Sequence, residues 1–398
     1  MHSQILSRSF ISPVVKQREL IHWSEINGTA MGASIFSSNV FNKIAITRDY
    51  NNQFNDIFSH LSTDRFDLQQ KLNDLLAVDQ TSDALRKQGQ NLGWAYEEAE
   101  IKMGGSGTRD WTSAQRQELL ESGSVRKFEP HHINNVAAHH DQQANPDNIK
   151  FLEEHRDGNG VREHFDAHGR NWRNQTEGPL IDRDKRLIDT NNKRVLNNEL
   201  AGIGLAAAIG LGIGFSIGFV VTLAQSGVSP ESIRYAAIAG AKAGGVGAAF
   251  GVVNHILARS IGELASKALQ GVIQNFGIAV TDNVVKMCNM GIVGFMAIAV
   301  FSVYQFVKLK RMGYSTKECL IRVGKQAAFS TAVLVVSIIA QGIWGGAAGI
   351  IVSLSIGIIV LTYKVSLSIY DKKMMESIMV YTINKSCPSL SWRGVYDY

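Results

Sequence analysis

The sequence predicts a two-part chain: a mostly helical first half holding one small α+β segment, then an all-α region of several membrane spans. Three observations carry this. Apolar residues recur at three- and four-residue intervals between Asp64 and Met103. Histidines crowd a polar stretch between Glu129 and Gly169. From Ala201 onward, long uncharged runs replace the charged composition of everything before them.

The 398 residues leave room for two or three domains. Residues 1–200 carry 24 Lys and Arg against 28 Asp and Glu, whereas residues 201–398 carry 16 against 7. The basic excess thus lies in the apolar half, and net charge gives no support for nucleic-acid binding by the first half. Cys288, Cys319 and Cys387 are too widely spaced for a disulfide scaffold or a cysteine-ligated zinc site. The opening MHSQILSRSFISPVVKQREL lacks the apolar core and small-residue cleavage pattern of a signal peptide, so none is expected.

Taken in order, residues 1 to about 60 say little, and the apolar patches of Ala33–Ile46 fit a strand pair or a small helix. Leu68, Leu72, Leu75 and Leu76, then Leu85, Leu92, Ala95 and Ala99, mark helices with one apolar side. GGSG at Gly104 breaks that pattern, and Thr112 with Gln115 reads as a capping box opening a short helix through Leu120. The expected domains are a mostly helical region (1–103), the α+β segment (104–181), a charged linker (182–200), a membrane domain (201–370) and a tail (371–398).

Clear spans are Ala201–Gln225, Asn289–Val307, Ala327–Trp344 and Gly346–Tyr363, each long enough for a hydrocarbon layer of roughly 30 Å. Weaker ones are Tyr235–Ile256, interrupted by Lys242, and Leu269–Val285, interrupted by Asp282. The loop Lys308–Lys325 holds six basic residues against Glu318 alone, which favours the cytoplasmic face. Counting six crossings, or only the four clear ones, puts this loop and the first half on one side, so the first half is expected in the cytoplasm of a bacterial inner membrane. GVSPE at Gly227 and GYSTK at Gly313 form a faint echo 86 residues apart.

The histidine-rich stretch reads EPHHINNV from Glu129, NPDNIKFL from Asn145 and REHFDAHG from Arg162. His164 and His168 are four apart, one face of a helix, and His131 can add a third nitrogen from a preceding strand. Three nitrogen ligands leave positions open for water and a phosphate oxygen. In a strand His132 points away from His131, and its neutral imidazole suits a base acting on water. Arg162, Arg170 and Arg173 are candidates for phosphate contacts, against ordinary surface charge. Trp111 and Trp172 fit a core better than base stacking, and His139, His140 and His155 are read as peripheral.

These blocks, together with WTSAQ at Trp111 and NWRNQT at Asn171, resemble the HNH/endonuclease VII superfamily. The nearest subgroup is the nuclease domains of bacterial polymorphic toxins with a Gly-His-His signature. The resemblance covers roughly Gly104–Gly178. It implies a ββα-metal finger in which His131, His164 and His168 hold the metal, His132 is the general base and Asn148 braces the connecting loop. It implies cleavage of double-stranded DNA with one divalent ion, Mg2+ or Mn2+ first and Ni2+ or Zn2+ as alternatives. Pro130 departs from the signature glycine, and Arg156–Val161 is an insertion before Glu163.

The expected protein is therefore a membrane-anchored DNA endonuclease serving anti-phage or anti-plasmid defence. The alternatives are an interbacterial toxin effector with DNase activity, and a pore or transporter-like protein whose HNH module only binds nucleic acid. Its expected partners are DNA and the lipid bilayer. Restraint of such an activity points to the helices before Met103, a second copy of the chain, or an inhibitory, immunity-type protein.

Overall fold

The computed structural model describes residues 12–76, 81–154, 162–171, 173–277 and 279–344, and part of 355–382. The described helices are α1 (Ser12–Leu76), α2 (Asp83–Lys102), α3 (Ser113–Ser122), α4 (Glu163–Ala167), α5 (Arg183–Ser226), α6 (Pro230–Leu257), α7 (Glu263–Asn275), α8 (Asp282–Arg311) and α9 (Thr316–Trp344). Two strands, β1 (Phe128–His132) and β2 (Ile149–Glu153), separate α3 from α4. The chain forms two compact units, residues 45–199 and the remainder.

In the first unit α2 is buried on two sides. Leu85, Leu92, Tyr96 and Ala99 meet Leu61, Leu68 and Leu72 of α1, while Trp94 and Ile101 meet Trp111, Leu119, Ile149 and Phe151. Thr112 and Gln115 do form a capping box at α3, and Gly123 ends that helix in the left-handed region. Trp111 belongs to this core, its Nε1 donating to Glu97 at 2.7 Å. Trp172 lies outside the described residues.

Three parts of the chain depart from the sequence-based expectation. Ala33–Ile46 is neither a strand pair nor a small helix but part of the 65-residue α1. The charged segment 182–200 is the beginning of α5. Its inward face is polar, with Asn191 bonded to Asn51, Arg194 to Gln53 and Tyr50, and Asn198 to Thr47. Leu269–Val285 is not a span. Here α7 ends at Asn275, Gly277 takes a positive φ of 77°, and α8 starts at Asp282.

Among the described residues four helices are long and apolar enough to cross a membrane: Arg183–Ser226, which passes from the first unit into the second at residue 200, and Pro230–Gly262, Asp282–Arg311 and Thr316–Ala340 of the second unit. The interrupted stretch Tyr235–Ile256 is thus one of the long helices. Most of Gly346–Tyr363 and of the tail lies outside the described residues. Successive helices run antiparallel. Gly202 lies by His255, Gly210 by Gly247 and Gly214 by Ala243; Phe250 packs against Phe301 with the rings tilted, and Gly294 lies against Leu334. At the Gly210–Gly247 crossing a β-carbon on either residue would strike the other's carbonyl oxygen, so only glycine permits this approach.

This count changes the topology. Three spans, not two or four, now lie between Ala201 and the Lys308–Lys325 loop. That loop therefore shares an end of the membrane half with the Gly227 turn, and residue 200 lies at the opposite end.

Candidate metal centre

The sheet is a single antiparallel pair with Glu129 opposite Leu152, His131 opposite Lys150 and His132 opposite Ile149. Ile133 N donates to Asn148 O at 2.8 Å and Glu154 N to Lys127 O at 2.7 Å. Hydrogen-bonded pairs alternate along such a ladder, so they fall at 127, 129, 131 and 133. Pro130 then occupies a non-bonded position, where its missing N–H costs the ladder nothing. Its carbonyl points outward and accepts from Gln90 Nε2 at 3.3 Å.

Alternation places Glu129 and His131 on one face and His132 on the other. His164 lies within α4 and His168 caps its end. The helix is tied to the sheet through Glu163, which accepts from Arg109 Nη1 at 2.8 Å and from Glu153 N at 2.6 Å. One nitrogen from each of His131, His164 and His168 lies within 4.8 Å of the other two. His131 Nδ1 faces His164 Nε2 at 2.9 Å.

Two of these imidazoles are oriented from behind. His164 Nδ1 bonds the Glu129 carboxylate, and His168 Nδ1 donates to the Asn174 carbonyl at 2.9 Å. Giving a proton to an acceptor at Nδ1 leaves the Nε2 lone pair for a cation, the usual outer-shell arrangement of metal-binding histidines. Burial, then the neighbouring His164 and Lys150, push the His131 pKa down to about 3, so this imidazole is neutral at cellular pH. Its Nε2 is buried without a hydrogen-bond partner. A neutral His131 with one orphaned nitrogen, grouped with two further imidazoles, fits a divalent cation.

Residues 80–153 match a family model described as Tox-GHH, the GHH-signature-containing HNH/Endo VII superfamily nuclease toxin. This segment is an HNH/Endo VII nuclease domain. No curated protein and no solved structure matches the chain. The match spans under a fifth of the sequence and stops before His164 and His168, which the fold returns to His131.

Around this nuclease domain's triad, the other predicted residues occupy distinct places. His132 is 6 % exposed, and its Nε2 donates to the Gln143 carbonyl at 3.0 Å. Its Nδ1 makes no hydrogen bond to a described residue, and burial lowers its pKa. Asn148 is fully buried; its Oδ1 accepts from Asn134 N at 2.7 Å, and its Nδ2 donates to Asn134 O at 2.9 Å and Gln142 O at 3.3 Å.

Arg162, Arg170 and Arg173 are exposed and flank α4 without joining the triad. Arg170 takes a positive φ of 62° and pairs with Asp166 at 2.8 Å. His139 pairs with Glu177 at 3.5 Å, and neither it nor His140 belongs to the triad. His155 and the 156–161 insertion lie outside the described residues. Sequence reasoning missed Glu129 and the Gln143 carbonyl. Glu129 could have been found, since it stands two residues before His131 and so shares its strand face.

Proposed function

We propose that this chain is a membrane-anchored, metal-dependent DNase toxin that hydrolyses phosphodiester bonds. The observation carrying it is the His131–His164–His168 triad, oriented from behind by Glu129 and the Asn174 carbonyl. The toxin description of the matched family supports this reading over anti-phage or anti-plasmid defence. A module that only binds nucleic acid has no use for three converging imidazoles beside a second, separately held histidine.

His131, His164 and His168 would hold the cation, with Mg2+ or Mn2+ preferred for a phosphate substrate and Ni2+ or Zn2+ as alternatives suited to imidazole. When bound, the ion supplies positive charge to the scissile phosphate oxygens and the leaving oxygen. His132 accepts a water proton at Nδ1 while the Gln143 carbonyl holds its Nε2–H, and the water oxygen bonds phosphorus as the bond to the leaving oxygen breaks. Asn148 positions this base through the loop it braces. Arg162, Arg170 and Arg173 would meet backbone phosphates of double-stranded DNA.

We place the nuclease half on the cytoplasmic side of a bacterial inner membrane, where chromosomal DNA lies. The Lys308–Lys325 loop then faces the other side, against its own charge preference. An immunity-type inhibitor or self-association would restrain it.

The test is nicking of supercoiled plasmid by the detergent-solubilised full chain with each metal in turn. Wild type is expected to cut. His132→Ala should lower the rate by about 10²–10⁴-fold while Mn2+ still binds, and His164→Ala should abolish both. Wild type that never cuts with Mg2+, Mn2+, Ni2+ or Zn2+ overturns the reading.

A further inference from the structure

We infer that Arg183, in the first turn of the helix that continues into the first apolar span, is a positioning residue of the nuclease site. This rests on the nuclease reading above. Its residue number lies 30 beyond the end of the family match and past all three triad histidines, so the HNH resemblance does not supply it.

The Arg183 side chain is 2 % exposed and heads the fully buried side chains by size. Its Nη1 pairs with Glu97 Oε2 at 3.1 Å, which balances the charge. The rest of the guanidinium grips backbone: Nε donates to Pro146 O at 2.9 Å and Nη2 to Ile149 O at 2.8 Å. Its own N–H donates to Asp147 Oδ1 at 3.3 Å, and the guanidinium lies 5.4 Å from the Phe151 ring centroid.

Those two carbonyls bracket Asn148. Asn148 in turn ties Asn134 and Gln142, and the next residue, Gln143, offers the carbonyl that holds His132. An unbroken run of hydrogen bonds and chain thus leads from Arg183 to the proposed base. An ion pair with Glu97 alone would need one edge of the guanidinium. The fixed fork of donors is what spans both carbonyls, and a lysine ammonium on a flexible stem cannot reproduce it. His164 and His168 are held separately, by Glu129, the Asn174 carbonyl and Glu163, so Arg183 acts on the base and not on these two ligands.

The experiment measures steady-state cleavage of a DNA duplex, and Mn2+ affinity, with the full chain in detergent. Arg183→Lys, Asn148→Ala and their double variant are compared with wild type. For Arg183→Lys we expect kcat to fall about tenfold or more while KM and Mn2+ affinity stay within about twofold. The double variant should be no slower than Asn148→Ala alone, because both act through one loop. Unchanged kcat overturns the inference, as do effects that multiply in the double variant or a matching loss of Mn2+ affinity, which mark a packing role. If Arg183→Lys does not fold, the neutral pair Arg183→Gln/Glu97→Gln, which leaves no buried charge unmatched, is read by the same criteria. Wild type that fails to cut removes the nuclease reading and this inference with it; wild type that cuts beside an unaffected variant removes this inference alone.

Discussion

At His164 the imidazole is held from both ends, by Glu129 at Nδ1 and by the His131 nitrogen at Nε2. Glu129→Gln keeps the size but loses the charge that raises the ligand's basicity. Metal affinity should fall by roughly 10–100-fold, read by calorimetric titration with Mn2+. An unchanged affinity would detach Glu129 from the site. Protonation gives a second handle. His132 has its pKa lowered by burial and must be neutral to accept a proton, so cleavage should rise with pH through an acid limb below 6.5 and level off at neutral pH. A limb above 6.5 would exclude it as the base. His131 shifts from 6.5 to about 3, so in that window the unfolded chain binds more protons. Its contribution to stability is fully present above about pH 6.5 and is lost as pH falls toward 3. With metal chelated, the fluorescence of Trp94 and Trp111, both packed near Phe151, should report this loss, and His131→Gln should flatten it.

At the scale of elements, β1 explains how a proline replaces the signature glycine. Pro130 sits at a non-bonded position, and its ring restricts the unfolded chain. Pro130→Gly should leave cleavage within about twofold and lower stability by about 0.4–1 kcal/mol; a large loss of activity would mean that the proline shapes the site. The histidine blocks, the capping box at Thr112 and the apolar runs were legible because each is written in residue type and local spacing. The helical start of α5 was not, because Asn191, Arg194 and Asn198 bury polar atoms against Asn51, Tyr50 and Thr47, a pattern that apolar periodicity does not register. Nor was the break at Gly277, whose neighbours are apolar enough to extend a span. The echo of Gly227 and Gly313 is turn chemistry. Each glycine takes a positive φ, and Ser229 or Ser315 two residues on caps the next helix.

For the whole molecule, the order of spans makes a prediction independent of which face is cytoplasmic. The two serine-capped turns, at 227–229 and 313–315, lie at one end of the membrane half, and the 276–281 connection lies at the other. In a background lacking Cys288, Cys319 and Cys387, single cysteines at Ser229, Ser315 and Val280 can be exposed to an impermeant maleimide in intact cells. Ser229→Cys and Ser315→Cys should label together, and Val280→Cys only after permeabilisation when the nuclease end faces the cytoplasm. Labelling of Ser315→Cys on the same side as Val280→Cys would restore an even number of crossings between Ala201 and the basic loop, and with it the topology that charge alone suggested. Reversed labelling, with Val280→Cys reached from outside, would keep the span order but place the nuclease away from the chromosome. Expression then separates the cases. A cytoplasmic nuclease should fragment chromosomal DNA in a manner abolished by His132→Ala, whereas a nuclease held outside should leave the chromosome intact until the membrane is opened.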